Sequence, residues 1–300
     1  MVQPAGRARM RIGDTSVTYL PDGYGWINPA MSFPSTAPGE WATHAEFLDA
    51  RGWFSVSIGS FLIQTAGRAI LVDLGLGEVD FAIPETASFT GGRLPAGLAS
   101  EGLKTDDIDT VVFTHLHHDH VGWTSDVAPA PELPEGAVVG APTFGAARHL
   151  VSETEWSYWA DRPGFPGPDR DAVLGPLSER IAFVRDGDEI APGVRVLATP
   201  GHTPGHSSLV VTDPAGADDR RLIILGDVMH CQAQVTQSRW TFRFDVDAEQ
   251  AIATRRQLLK ELEHENTLLA AGHFAGHVFG RVLPPSSRRA WADGRHVLIG

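Results

Sequence analysis

One cysteine in 300 residues, Cys231, removes two possibilities at once. No intramolecular disulfide can form, and no zinc site can be built on thiolates. A chain without disulfides leans towards a reducing compartment. Basic residues are scarce as well: 24 Lys and Arg against 37 Asp and Glu leave a net charge of −13. Binding a phosphate backbone needs clustered cations, so no nucleic-acid partner is expected. No uninterrupted apolar run approaches bilayer-spanning length, so no membrane partner is expected either. Met1–Asp14 carries three arginines and no apolar stretch, unlike a secretory signal. The expected location is cytoplasmic. Internal repeats and low-complexity stretches are also missing.

What remains is an ordinary globular composition, 42% hydrophobic and 20% charged, long enough to bury a full core. Short apolar, β-branched runs recur at Ser55–Gln64, Arg68–Asp73, Asp109–Thr114, Ala137–Gly140, Ile181–Arg185, Val194–Ala198, Ser207–Thr212, Arg221–Leu225 and Thr267–Ala271. They read as strands, the first two joined through Thr65-Ala66-Gly67 as a hairpin. Thr143 and Ser152 are placed to cap short helices reaching about Leu150 and Ala160. A longer helix is expected from Asp245 or Asp247 to about Glu265. Its stripe is Ala248, Ala251, Ile252, Leu258, Leu259 and Leu262, with Arg255, Arg256, Lys260 and Glu263 facing away. Pro and Gly mark loops at Pro129–Pro134, Pro163–Pro168 and Pro284–Pro285. The expectation is one domain over 1–300, with an irregular N-terminal segment to about residue 50 that includes Trp26–Pro38.

Imidazole is concentrated where one strand ends. Thr114-His115-Leu116-His117-His118-Asp119-His120 places four ligand-type residues within six positions. Neutral imidazole is a preferred zinc ligand, and a carboxylate completes such sites. Extended residues two apart point the same way, so His115 and His117 can grip one ion. A turn after them, eased by Gly122, can send Asp119 and His120 towards a second. Three further candidates stand in turns after apolar strands: His202 in Thr199-Pro200-Gly201-His202-Thr203-Pro204-Gly205-His206, Asp227 in Leu225-Gly226-Asp227, and His273 in Ala271-Gly272-His273. Seven ligands suffice for two metal ions. Such a pair, about 3.5–4 Å apart, polarises a substrate oxygen and supplies hydroxide at neutral pH.

The His-x-His-x-Asp-His motif at 115–120 resembles the signature of the metallo-β-lactamase superfamily, and the likeness runs from about Ser55 to His273. The resemblance implies an α+β fold, a four-layer αβ/βα sandwich of two facing mixed sheets flanked by helices. It also implies roles. His115, His117 and His202 would hold one metal, Asp119, His120 and His273 the other, and Asp227 would bridge. Asp73, in Leu71-Val72-Asp73-Leu74-Gly75, matches an aspartate that supports ligand histidines in this family; a turn-forming aspartate is the other reading.

Asp227 separates branches of the superfamily. β-Lactamases of this fold generally lack a bridging aspartate, whereas lactonases, glyoxalase II-like thioesterases and organophosphate hydrolases have it. Only 27 residues follow His273, too few for the glutathione-binding helical domain of glyoxalase II. The stretches Gly91–Asp109, His120-Val121-Gly122-Trp123 and Gly226-Asp227-Val228-Met229-His230, with Gln234 and Trp240, resemble the quorum-quenching lactonases and the methyl parathion hydrolase-like group. That group implies a metal-dependent hydrolase of the lactonase/esterase class with two divalent ions, zinc fitting best. A bridging hydroxide would attack an ester or lactone carbonyl, with phosphotriesters as a side activity.

In this reading Asp119 orients the nucleophile. His230 stands where acyl-homoserine lactonases carry a tyrosine, and it reads equally as a hydrogen-bonding or acid group and as a structural one. Trp26, Phe33, Phe61, Trp123, Phe144, Trp156, Trp159 and Trp240 are candidates for an apolar substrate pocket. The partner implied is a small molecule, and a homodimer is allowed. The alternatives are a single-iron persulfide dioxygenase-like oxidoreductase, a thioesterase- or β-lactamase-type hydrolase of the same fold, and a non-catalytic metal-binding module.

Overall fold

The computed structural model describes residues 3–37, 39–129, 133, 135–284 and 290–293. Parts of the 1–300 span and of the loops expected at Pro129–Pro134 and Pro284–Pro285 therefore lie outside the described residues.

Two sheets carry the molecule. The first comprises β1 (Ala8–Ile12), β2 (Thr15–Ile27), β3 (Phe54–Thr65), β4 (Arg68–Val72), β5 (Asp80–Ile83), β6 (Ala87–Thr90), β7 (Thr110–Val112), β8 (Arg148–Ser152) and β9 (Ile181–Val184). Its order is β5-β6-β2-β3-β4-β7-β8-β9, with β1 on β2. The pairs β4–β7, β7–β8 and β8–β9 are parallel and the others antiparallel. The second sheet runs in chain order: β10 (Glu189–Ala191), β11 (Val194–Ala198), β12 (Ser207–Thr212), β13 (Arg221–Ile224), β14 (Thr267–Ala270), β15 (Phe279–Leu283) and β16 (Ala290–Asp293). Only β13–β14 is parallel, and the helix Ala248–Leu262 lies in that connection.

Alternation along the strands builds the layers. Val17, Tyr19, Ile63, Ile70 and Val72 of the first sheet meet Val194, Val196, Leu209, Leu222 and Ile224 of the second in one central core. The intervening Leu62, Leu71 and Val111 face outward beneath helices Leu94–Ser100 and Glu153–Ala160. Ile223, Leu225 and Leu269 face outward beneath Leu258, Leu259 and Leu262. Two mixed sheets between flanking helices make the expected αβ/βα sandwich.

The hairpin at Thr65–Arg68 turns through Ala66 (φ 47°) and Gly67 (φ 76°), the left-handed pair of a two-residue loop. Ser152 caps its helix by accepting from Glu155 N, and Asp247 caps the long helix by accepting from Gln250 N.

Four expectations need correction. Residues 8–27 are not irregular; they form β1 and the 13-residue β2. Within β2, Pro21-Asp22-Gly23 spans a register shift. Asp22 is buried there and accepts from the backbone N–H of Leu76, Gly77 and Leu94 and from Trp123 Nε1. No helix follows Thr143: His149, Leu150 and Val151 pair in parallel with β9. Ala137–Gly140 forms no strand. Arg255 does not face away; it is fully buried.

Candidate metal centre

Every candidate ligand leaves the carboxyl end of a strand at the same edge of the sandwich. His115–His120 follow β7, His202 follows β11, Asp227 follows β13 and His273 follows β14. Gly226, at φ 56°, makes the turn that presents Asp227; a Cβ there would lie 2.5 Å from His206 Nε2.

Two clusters result. His115, His117, His202 and Asp227 offer ligand atoms that all lie within 4.8 Å of one another, and so do Asp119, His120 and His273. Asp227 stands between them. Its Oδ2 is 3.3 Å from His202 Nε2 and 3.7 Å from His115 Nε2. Its Oδ1 is 3.2 Å from His120 Nε2 and 3.1 Å from His273 Nε2. Asp119 reaches His273 Nε2 at 3.6 Å and His120 Nε2 at 3.9 Å. All seven residues expected from the sequence are thus brought together.

The donor set fits cations. His202 Nε2 meets His117 Nδ1 at 2.9 Å, and His120 Nε2 meets His273 Nε2 at 3.3 Å. Among the described residues, the buried Asp227 Oδ1 and His115 Nε2 have no hydrogen-bond partner. Buried lone pairs facing each other are costly unless something positive sits among them. Charge states agree with that. Burial works to raise the Asp227 carboxyl, but His273, His120 and His115 hold it well below the usual carboxylate range. Burial and the neighbouring imidazole His120 push His115 well below its ordinary value, into the neutral form that ligates. Burial opposes, but Asp227 and Asp73 outweigh it and raise His120, whose proton a cation would displace.

Outer partners aim the rings. Asp73 Oδ2 accepts from His120 Nδ1 at 2.9 Å, and the same carboxylate holds Thr114 N and Oγ1 at 2.7 and 2.8 Å. His273 Nδ1 meets the Ser57 carbonyl at 2.9 Å, and His202 Nδ1 meets Asp245 Oδ1 at 2.9 Å. Glu155, fully buried, accepts from Leu116 N between two ligands and from Thr203 Oγ1 and Gly205 N just beyond His202. The sequence reading missed Asp245, Glu155 and His206. His206 alone left a signal, as the second half of the doubled Thr-Pro-Gly-His.

A narrow pocket opens over the ligands. Its apolar walls are Ile27, Val56, Phe89, Pro166, Phe242 and Phe244, and among the described residues its lining contains no Lys or Arg. His230 is part of it, stacked on Phe242 at 3.7 Å and 13°, with Nε2 3.3 Å from Asp227 Oδ2. Among the described residues, Nδ1 of His230 has no hydrogen-bond partner. The eight aromatics expected to form this wall do not. Phe33 and Trp240 pack behind the wall, Phe33 against Phe242, Phe144 fills the core, and Trp123 and Trp159 are tied to Asp22 and Glu155. Phe61 lines a small cavity beneath Asp227 and His273.

With this geometry in hand, the chain matches the family model of the metallo-beta-lactamase superfamily over residues 56–273. It belongs to that superfamily, and so to the metallo-hydrolases. Among curated proteins it is 25% identical to an N-acyl homoserine lactonase of Bacillus thuringiensis, over 73% of this chain and 82% of that one. It is 29% identical to a probable metallo-hydrolase of Mycobacterium bovis, over 66% of this chain and 65% of that one. Among solved structures it resembles AidC, a dizinc quorum-quenching lactonase, with a TM-score of 0.77 at 22% identity, over 97% of this chain and 98% of that one. The hydrolase AbOPH gives 0.76 at 23% identity over the same shares. Among the described residues, no helix is long and apolar enough to cross a membrane.

Proposed function

We propose that this chain is a dinuclear metal-dependent hydrolase acting on an uncharged ester or lactone with an apolar acyl or aryl group. One observation carries the reading: on the floor of an apolar pocket the Asp227 carboxylate stands between two sets of imidazoles, Oδ2 towards His115 and His202, Oδ1 towards His120, with His273 within reach of both. His115, His117 and His202 would hold one divalent cation and Asp119, His120 and His273 the other, with Asp227 shared; zinc suits these ligands best. Bound there, the ions would supply Lewis acidity towards a carbonyl oxygen and make water acidic enough to ionise near neutral pH.

The chain's own groups do the rest. Asp119 lines the pocket with its side chain 18% exposed, so a carboxylate oxygen can orient a water and take its proton. His230 faces the pocket with Nε2 3.3 Å from Asp227 Oδ2, where its ring could hydrogen-bond the carbonyl or the leaving oxygen. Phe242, Phe244, Phe89, Ile27 and Val56 exclude water and hold the apolar group. Among the described residues the lining holds no Lys or Arg, in keeping with an uncharged substrate.

The test is a hydrolysis panel on the metal-loaded protein: acyl-homoserine lactones of several chain lengths, aryl esters, a thioester and a paraoxon-type triester. Turnover of a lactone or ester, with weaker turnover of the triester, is expected. One iron per chain with oxygen consumption on a persulfide would replace the reading with an oxidoreductase.

A further inference from the structure

Behind His202 lies a buried charge network that the ligand set does not include. The side chain of Asp245 is wholly buried. One oxygen accepts from His202 Nδ1 at 2.9 Å, and the other accepts from the backbone N–H of Phe242 at 2.8 Å. The same short segment is tied to His202 through the main chain, with Val246 N donating to His202 O at 2.9 Å and Asp247 N to Gly201 O at 3.0 Å. Arg255, also fully buried, stands behind with Nη2 4.0 Å from Asp245 Oδ2. Its remaining nitrogens donate to the carbonyls of Val228, Ser238 and Trp240. Val228 is the residue after Asp227, and Phe242 and Phe244 are pocket walls.

A buried carboxylate is expensive, and its cost falls only where donors and an opposite charge face it. Here both oxygens have a donor and a guanidinium lies close by. A carboxylate opposite Nδ1 also favours a proton there, which leaves Nε2, facing His117 Nδ1 and Asp227 Oδ2, as the nitrogen that can ligate a cation. We propose that Asp245 is a positioning residue serving two tasks with one carboxylate: it aims His202 at the metal held by His115 and His117, and it fixes the aromatic wall of the substrate pocket. Arg255 offsets the charge of Asp245 from behind. The inference rests on the dinuclear reading of the site. It makes metal affinity and pocket shape depend on one side chain.

The test is titration of the full-length, metal-free protein with zinc against a chromophoric chelator, for the unaltered chain and for Asp245→Asn. We expect two ions in the unaltered chain. In the variant one ion should be held about ten- to a hundredfold more weakly and the other within about twofold of normal. Arg255→Lys should shift the same ion in the same direction by less. In kinetics, excess zinc should restore kcat of Asp245→Asn and leave KM for the most apolar substrate raised. Two ions bound as tightly as before would overturn the proposal. So would equal weakening of both with a matching fall in the melting temperature of the metal-free protein, the pattern of a merely structural residue. Failure of the unaltered chain to take two ions would instead overturn the dinuclear reading. Should Asp245→Asn not fold, imidazole nitrogen NMR of the zinc-loaded, unaltered chain decides: His202 protonated on Nδ1 and metallated on Nε2 supports the proposal, and ligation through Nδ1 overturns it.

Discussion

The backbone N–H of Asp227 donates to Nε2 of His206 over 2.8 Å. That bond fixes the turn carrying the shared carboxylate, and it requires His206 to stay neutral. Burial pushes its imidazole down to about 3, so it does. Nδ1, which then carries the proton, is 2.9 Å from Thr199 Oγ1 and 3.1 Å from Thr199 O. Replacing His206 with Ala leaves a buried N–H without an acceptor and opens a gap beside Gly226. We expect a stability loss of about 2 kcal/mol by chemical denaturation, with a fall in turnover of more than about tenfold. Normal turnover would show that Asp227 needs no such anchor.

Asp227→Ala removes the oxygens facing both histidine sets. Metal content by elemental analysis should fall below two per chain, and turnover should fall with it, by about a hundredfold or more. Two ions and full activity in this variant would refute the shared-carboxylate assignment.

His230→Phe keeps the stack on Phe242 and removes the ring nitrogens. Metal content should stay at the unaltered level while kcat falls about ten- to a hundredfold. If kcat is unchanged, His230 is a packing residue.

Acid stability offers a separate check, away from the ligands. His149 is buried in β8 with its ring stacked near Phe113, at 6.3 Å and 19°. Burial, and then the charge of Arg180, lower its imidazole from 6.5 to about 4. The unfolded chain therefore binds more protons at this residue between those pH values, and stability rises with pH across the window. The contribution is complete above about pH 6.5 and is lost as pH falls towards 4, on the order of 3 kcal/mol in all. His149→Phe should flatten the profile of unfolding free energy against pH between 6.5 and 4, measured with a chelator present for both proteins. An equal slope in both would remove His149 from the account.

The parts of the site that were legible in the sequence share one property: local spacing carries them. His115, His117, Asp119 and His120 crowd the end of one strand, and His202, Asp227 and His273 each end another. Asp245 and Glu155 were not legible, because the partners that tie them to the ligand loops lie 43 residues away for Asp245 and at least 39 away for Glu155, and nothing beside them marks the pairing. The fold was read from periodicity and failed where periodicity is broken or misleads. Pro21-Asp22-Gly23 hides a long strand because its irregularity is anchored by residues from β4 onwards. Arg255 was assigned to the outer face of its helix because hydropathy does not register three carbonyls waiting inside the molecule. The eight aromatics that composition offers for the pocket wall, five Trp and three Phe, do not line it; Phe242 and Phe244 do, from a loop whose course no local pattern reveals.

Anomalous diffraction from crystals grown with saturating zinc tests the central claim most directly. The account predicts two metal peaks per chain on opposite sides of the Asp227 carboxylate, one beside His115, His117 and His202 and the other beside Asp119, His120 and His273. A single peak, or two peaks with Asp227 turned away from either, would contradict it.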